Sequence, residues 1–165
     1  RTEGRSEIGS PRSFRARAQS DATTMLRRFC TIASSKTAGT VNLGFTASSI
    51  FGSEPVIMKA RIFDTPTGKA FLASLPHKSI SLTTWGGEVY GPCVPLPEHK
   101  PQPRIPPGGI AFSQQGNYLC VFYGQNPAWP VDYIGQIDDW EGLQKGGPWA
   151  SLSVVADSDD VAASG

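Results

Sequence analysis

The sequence predicts an all-β domain, a small closed barrel with one short helix. Three observations lead there. Eighteen glycines and fourteen prolines against a hydrophobic content of 39% favour many short elements joined by tight turns over long helices. Roughly six to eight short segments alternate apolar and polar side chains, the period of a half-buried strand. No run reaches the length of apolar sequence that a membrane-spanning helix needs.

The elements follow in order. "VIMKARIF", from Val56, carries Ile57, Ile62 and Phe63 among charged residues and reads as a strand. "DTPTG" then reads as a turn, with Pro66 and Gly68, and "KAFLASL" as its returning antiparallel partner. In "HKSISLTTWGGEVYG", Ile80 and Leu82 alternate with Ser and Thr before a Gly86-Gly87 corner, giving two strands or one bulged strand. Seven prolines from Pro92 to Gly109, Pro92 included, forbid a central strand and predict a stiff surface loop. "GIAFSQQGNYLCVFYG" forms a hairpin about Gln114 to Asn117, and Tyr118 to Tyr123 is the most apolar strand of the chain. Along it, Leu119, Val121 and Tyr123 face one way, and Tyr118, Cys120 and Phe122 the other. "VDYIGQI" is a further strand. "DDWEGLQKGG" has helix signals, with Asp138 or Asp139 as N-cap, Glu141 in the first turn, Lys145 in the last and Gly146 at the end. "WASLSVVA" closes the barrel.

Composition sets the domain limits. Residues 1–54 are rich in Arg, Ser, Thr and Ala and lack a sustained period, which predicts a disordered extension ahead of a barrel over 55–157 and a fraying tail over 158–165. From Met25 to Ser53 there is no Asp or Glu, while Arg27, Arg28 and Lys36 are present, the make-up of a mitochondrial or plastid transit peptide if Met25 is an initiator; otherwise a cytoplasmic location is expected. Eight of the fifteen basic residues precede residue 40, so the barrel carries no basic face for nucleic acid. Cys30, Cys93 and Cys120 are odd in number and show no metal-ligand spacing; reduced thiols of an intracellular protein are expected, with Cys120 buried, and neither a metal ion nor another cofactor.

The segments "TTWGGEVYG", "GIAFSQQGNYLCVFYG" and "VDYIGQI" followed by "WEGLQK", in that order, resemble those of the small bacterial-type cyclophilin-like domains, over roughly Met58 to Val155. The resemblance implies a closed cyclophilin-type β-barrel with a short helix packed at one end. It also implies a family distinct from the prolyl isomerases, whose Phe-His-Arg and Gln-Gly-Gly-Asp segments are absent here.

Among residues that could carry chemistry, His77, His99 and Arg61 read as exposed, and Asp138, Asp139 and Glu141 as helix-start carboxylates. The aromatic residues are more informative. Trp85, Glu88, Tyr90, Phe112, Tyr118 and Tyr123 lie at strand ends and corners of the family-like segments, and all but Phe112 bring a polar group that a closed core would have to satisfy. They are expected to bound an aromatic groove that takes a small molecule or an extended peptide, with Gln125 and Asn126 on its rim. Two alternatives stand beside this binding module: a divergent peptidyl-prolyl isomerase using Arg104 or a hairpin-tip Gln as donor, and a subunit of an amidohydrolase-type assembly.

Overall fold

The computed structural model describes residues 35–161. Ten strands run through it: β1 (Thr37–Ala47), β2 (Val56–Phe63), β3 (His77–Ser81), β4 (Thr83–Trp85), β5 (Glu88–Pro92), β6 (Pro101–Gln102), β7 (Gly109–Ser113), β8 (Tyr118–Phe122), β9 (Val131–Ile137) and β10 (Trp149–Ala156). Three short helices accompany them, α1 (Pro66–Ala73), α2 (Glu141–Lys145) and α3 (Ser158–Val161). The strands form one antiparallel sheet in the order β3-β10-β1-β2-β9-β7-β8-β5-β4, with β6 beside β9, and the sheet curls into a nearly closed barrel.

Alternation fills the interior. Val41, Leu43 and Phe45 on β1 point inward, with Val41 opposite Ala60 and Leu43 opposite Met58 on β2. On the other side of β1, Leu43 is opposite Val154 and Phe45 opposite Leu152 of β10. Phe71 from α1, Ile110 and Phe112 from β7, Leu119 and Val121 from β8 and Ile134 from β9 complete the same cluster. The ring of Trp149 closes one end, 5.6 Å from Phe45, with its Nε1–H donating to Leu143 O of α2 at 3.2 Å.

Three expectations are corrected. The barrel begins at β1, inside the segment 1–54 that composition assigned to a disordered extension. β1 has few large apolar residues among its Thr, Gly and Asn, but the three that point inward are fully buried. Residues 1–34, including Cys30 and most of the leader reading, lie outside the described residues. Second, "DTPTG" is not a turn, nor "KAFLASL" a strand. Thr65 caps α1, its Oγ1 accepting from Gly68 N at 3.0 Å, and Pro66 occupies the first helical position, where its missing N–H costs nothing. Third, neither Asp138 nor Asp139 caps α2. Its N-cap is Trp140, without a side-chain cap, and Asp138 instead accepts two hydrogen bonds from Arg61, at 2.7 and 3.2 Å.

The Pro-rich segment 92–109 crosses the outside of the barrel as expected, and it is pinned along its length. Thr67 of α1 donates to Pro97 O at 2.6 Å, and Gln114 Nε2 donates to Leu96 O at 3.1 Å. Asp132 of β9, 3% exposed, accepts from Lys100 N at 2.7 Å and from His99 N at 3.2 and 3.3 Å. Its own Leu96 and Ile105 are buried against the barrel.

Leu43→Ala is expected to lower stability by about 2–5 kcal/mol, read from the denaturant midpoint, and a chain lacking residues 1–54 is expected to lose cooperative unfolding altogether. Asp132→Ala should cost about 1.5–3 kcal/mol by freeing two backbone N–H groups, and should make the 92–109 segment sensitive to limited proteolysis.

Candidate functional site

The wall made by β5, β8, β7 and β9 buries apolar side chains on both faces. On β5, Val89 points into the barrel while Glu88 and Tyr90 point out. On β8, Leu119 and Val121 point in while Tyr118, Cys120 and Phe122 point out, the split that the alternation of the segment predicts. The register sets Glu88 opposite Phe122 and Tyr90 opposite Cys120, and on the other side of β8 sets Ser113 of β7 opposite Tyr118. The outward side chains form a second cluster with Ile105, Ala111 and Val131.

A cleft of about 40 Å³ opens in this outer face. Its floor is Glu88, Cys120 and Phe122, and Tyr90 and Tyr118 meet edge to face beside it with ring centroids 5.4 Å apart. Trp85 of β4 stands at one rim. The segment 124–130 supplies the other through Pro127 and Trp129, and Trp129 Nε1–H donates to Ser113 Oγ at 2.8 Å. Both tryptophans keep a solvent face, 58% of Trp85 and 41% of Trp129, so an occupant would touch groups that report it optically.

Glu88 is the polar centre, only 7% exposed. Gln125 Nε2 donates to its Oε2 at 3.2 Å, while Gln125 Oε1 accepts from Gly87 N at 3.1 Å, so one amide ties the carboxyl to the β4–β5 turn. Backbone contact holds that turn in place: Gly87 O accepts from Tyr123 N at 2.8 Å and from Gly124 N at 2.9 Å, and a Cβ on Gly87 would run into the Gly124 backbone. Burial raises the Glu88 pKa above the ordinary carboxyl value, with hydrogen bonds from the Cys120 thiol and Gln125 pulling the other way. Cys120 is pushed far up by burial and by the nearby carboxylate, so it remains a protonated donor and no nucleophile.

Of the residues expected to bound a groove, Trp85, Glu88, Tyr90 and Tyr118 surround the cleft, and Gln125 contacts Glu88. Phe112 and Tyr123 do not: both have the opposite strand parity and belong to the barrel interior, although burial and the Glu88 charge raise the Tyr123 pKa. Asn126 is exposed beside the cleft without lining it, and Arg104 is exposed on the Pro-rich segment, away from it. His77 is half-buried instead of exposed, stacked on Phe71 at 5.6 Å with Ser74 Oγ 3.0 Å from its Nε2; burial lowers its pKa. Arg61 is also half-buried, held by Asp138. Ser113, Cys120, Phe122 and Trp129 were not among the expected lining residues. Parity would have found the first three, since each falls in phase with Tyr118 or with its partner on β7; only tertiary structure brings in Trp129.

No helix among the described residues is long and apolar enough to cross a membrane. No curated protein matches the chain. Among solved structures it is similar to a hypothetical protein from Archaeoglobus fulgidus, at 19% identity and a TM-score of 0.56, over 75% of this chain and 98% of that one. It is also similar to McbB in complex with tryptophan, at 14% identity and a TM-score of 0.53, over 72% of this chain but only 45% of the McbB chain. At such identities the likeness is one of fold. The Cyclophilin-like family model matches residues 50–146, a span that takes in β2 to α2 and with them every residue around the cleft. The chain therefore belongs to the cyclophilin-like family.

Proposed function

We propose that this domain is a binding module whose outer-face cleft takes one side-chain-sized group of a small molecule or an extended peptide. The observation that carries the reading is Glu88, a carboxyl group kept buried on the floor of an otherwise apolar, aromatic cleft. Burying an acid there works against folding, and groups held at such a cost cluster at functional sites. The volume sets the scale. About 40 Å³ admits a head group and its stem, whereas pockets that enclose a whole drug-sized ligand run to several hundred Å³. The remainder of the ligand would lie along the surface between Trp85 and Trp129. That McbB holds tryptophan is compatible with a small aromatic or amine ligand on this fold, but the fold likeness alone assigns none.

The isomerase alternative needs a donor aimed at the prolyl nitrogen. Arg104 lies off the cleft, and no lysine, arginine or histidine lines it among the described residues.

Titration with amino acid amides and short peptides, followed by tryptophan fluorescence, is expected to give saturable changes that Trp129→Phe diminishes; a library without a single saturable response would count against a binding site. A protease-coupled prolyl-peptide assay is expected to show no acceleration above background, and a rate abolished by Arg104→Ala would turn the reading towards an isomerase. The raised pKa of Glu88 also has a definite sign in stability. Its contribution is complete below the ordinary carboxyl value, 4.5, and is lost as pH rises through the folded-state value. The native chain should therefore lose stability relative to Glu88→Gln as pH is raised from about 4 to about 7, read as the change in the difference between their denaturant midpoints.

A further inference from the structure

Glu88 differs from the other buried acids of the barrel in what meets it. Asp132 is met by backbone N–H groups, and Asp157 by Lys59 at 2.6 Å and by Asn42. Glu88 has a neutral amide, from Gln125, and the neutral Cys120 thiol near it, whose Sγ is also 3.9 Å from Tyr118 O, so at least two of the roughly four acceptor positions of its carboxylate stay open. A buried carboxylate ordinarily sits beside a cation, because an unpaired buried charge is expensive. Among the described residues no cationic side chain lines this cleft. What does surround it is a set of rings, Trp85, Tyr90, Tyr118 and Trp129, whose electron-rich faces attract positive charge where water is thinned out.

Resting on the binding reading above, we propose that the cleft recognises an organic cation, a primary ammonium on an alkyl stem. The ammonium donates to the open acceptor positions of Glu88, and the stem packs between Trp85 and Trp129. The size of the cleft, about 40 Å³, suits an ammonium head and the adjoining methylenes. Such a head can be carried by a lysine side chain in an extended peptide or by a free alkylamine, and the chemistry at Glu88 is the same for both.

The test titrates the full chain, by tryptophan fluorescence, with two cations and their neutral counterparts: Nα-acetyl-lysine N-methylamide against Nα-acetyl-norleucine N-methylamide, and pentylamine against pentanol. Each cation is expected to bind about tenfold or more tighter than its neutral partner, and Glu88→Gln, which keeps the shape of the side chain, is expected to erase that preference. Tighter binding of the lysine probe than of pentylamine assigns the peptide source and the reverse assigns a free amine; either supports the proposal. Charged and neutral probes that bind alike, or a preference that survives in Glu88→Gln, would overturn the cation assignment while leaving the cleft a binding site. Failure of all four probes to bind would remove the cation assignment and count against the binding reading as well.

Discussion

The wall of β5, β8, β7 and β9 has to be covered on both faces, and much else in the domain follows from that constraint. Its inner face joins the barrel core through Val89, Leu119, Val121, Ile110 and Phe112. Its outer face is more mixed, but it carries Cys120, Phe122 and Ala111, which cannot be left to water. An ordinary antiparallel sheet solves this by alternating apolar and polar residues. Here two irregular segments cover the outer face instead: the Pro-rich stretch, through Ile105, and the 124–130 segment, through Pro127 and Trp129. The cleft opens on this face beside the 124–130 segment, lined by Trp85 of β4 and by Trp129, with Glu88 among its lining residues.

Irregular chain can cover a sheet only if its backbone polar groups find partners. For the Pro-rich stretch, proline removes many of the donors in advance, and Asp132, Thr67 and Gln114 attend to groups that remain. In the 124–130 segment the work falls to Gln125, whose amide spans Glu88 and Gly87, and to Trp129, whose indole N–H reaches Ser113. The carboxyl of Glu88 is thus joined through one side chain to the turn that lets the two glycine backbones touch.

What could be read from the sequence, and what could not, divides along physical lines. The hairpin about Gly116 and Asn117 was legible because a left-handed turn demands those residues, and both take positive φ, 87° and 54°. The face assignment along Tyr118–Tyr123 was legible because strand parity admits no intermediate. That same parity excludes Tyr118 and Tyr123 from one site, although both carry a polar handle. β1 was missed because glycine, threonine and asparagine dilute its apolar signal, and its burial comes from neighbours distant in sequence. α1 was missed because Pro and Gly near a Thr resemble turn chemistry until the order Thr, Pro is read as a cap followed by the first helical residue. The role of Trp129 depends on how a loop lies over a sheet, which no local pattern encodes.

The place of β1 bears on how the molecule comes into being. It lies between β2, its near neighbour along the chain, and β10, whose Val154 is opposite Leu43 from more than a hundred residues further on. A nascent chain can therefore pair β1 along only one edge until nearly the whole domain has been synthesised. During that interval the apolar side of β1 is available to whatever accompanies the chain, so closure of this barrel is an event that follows translation of its last strand.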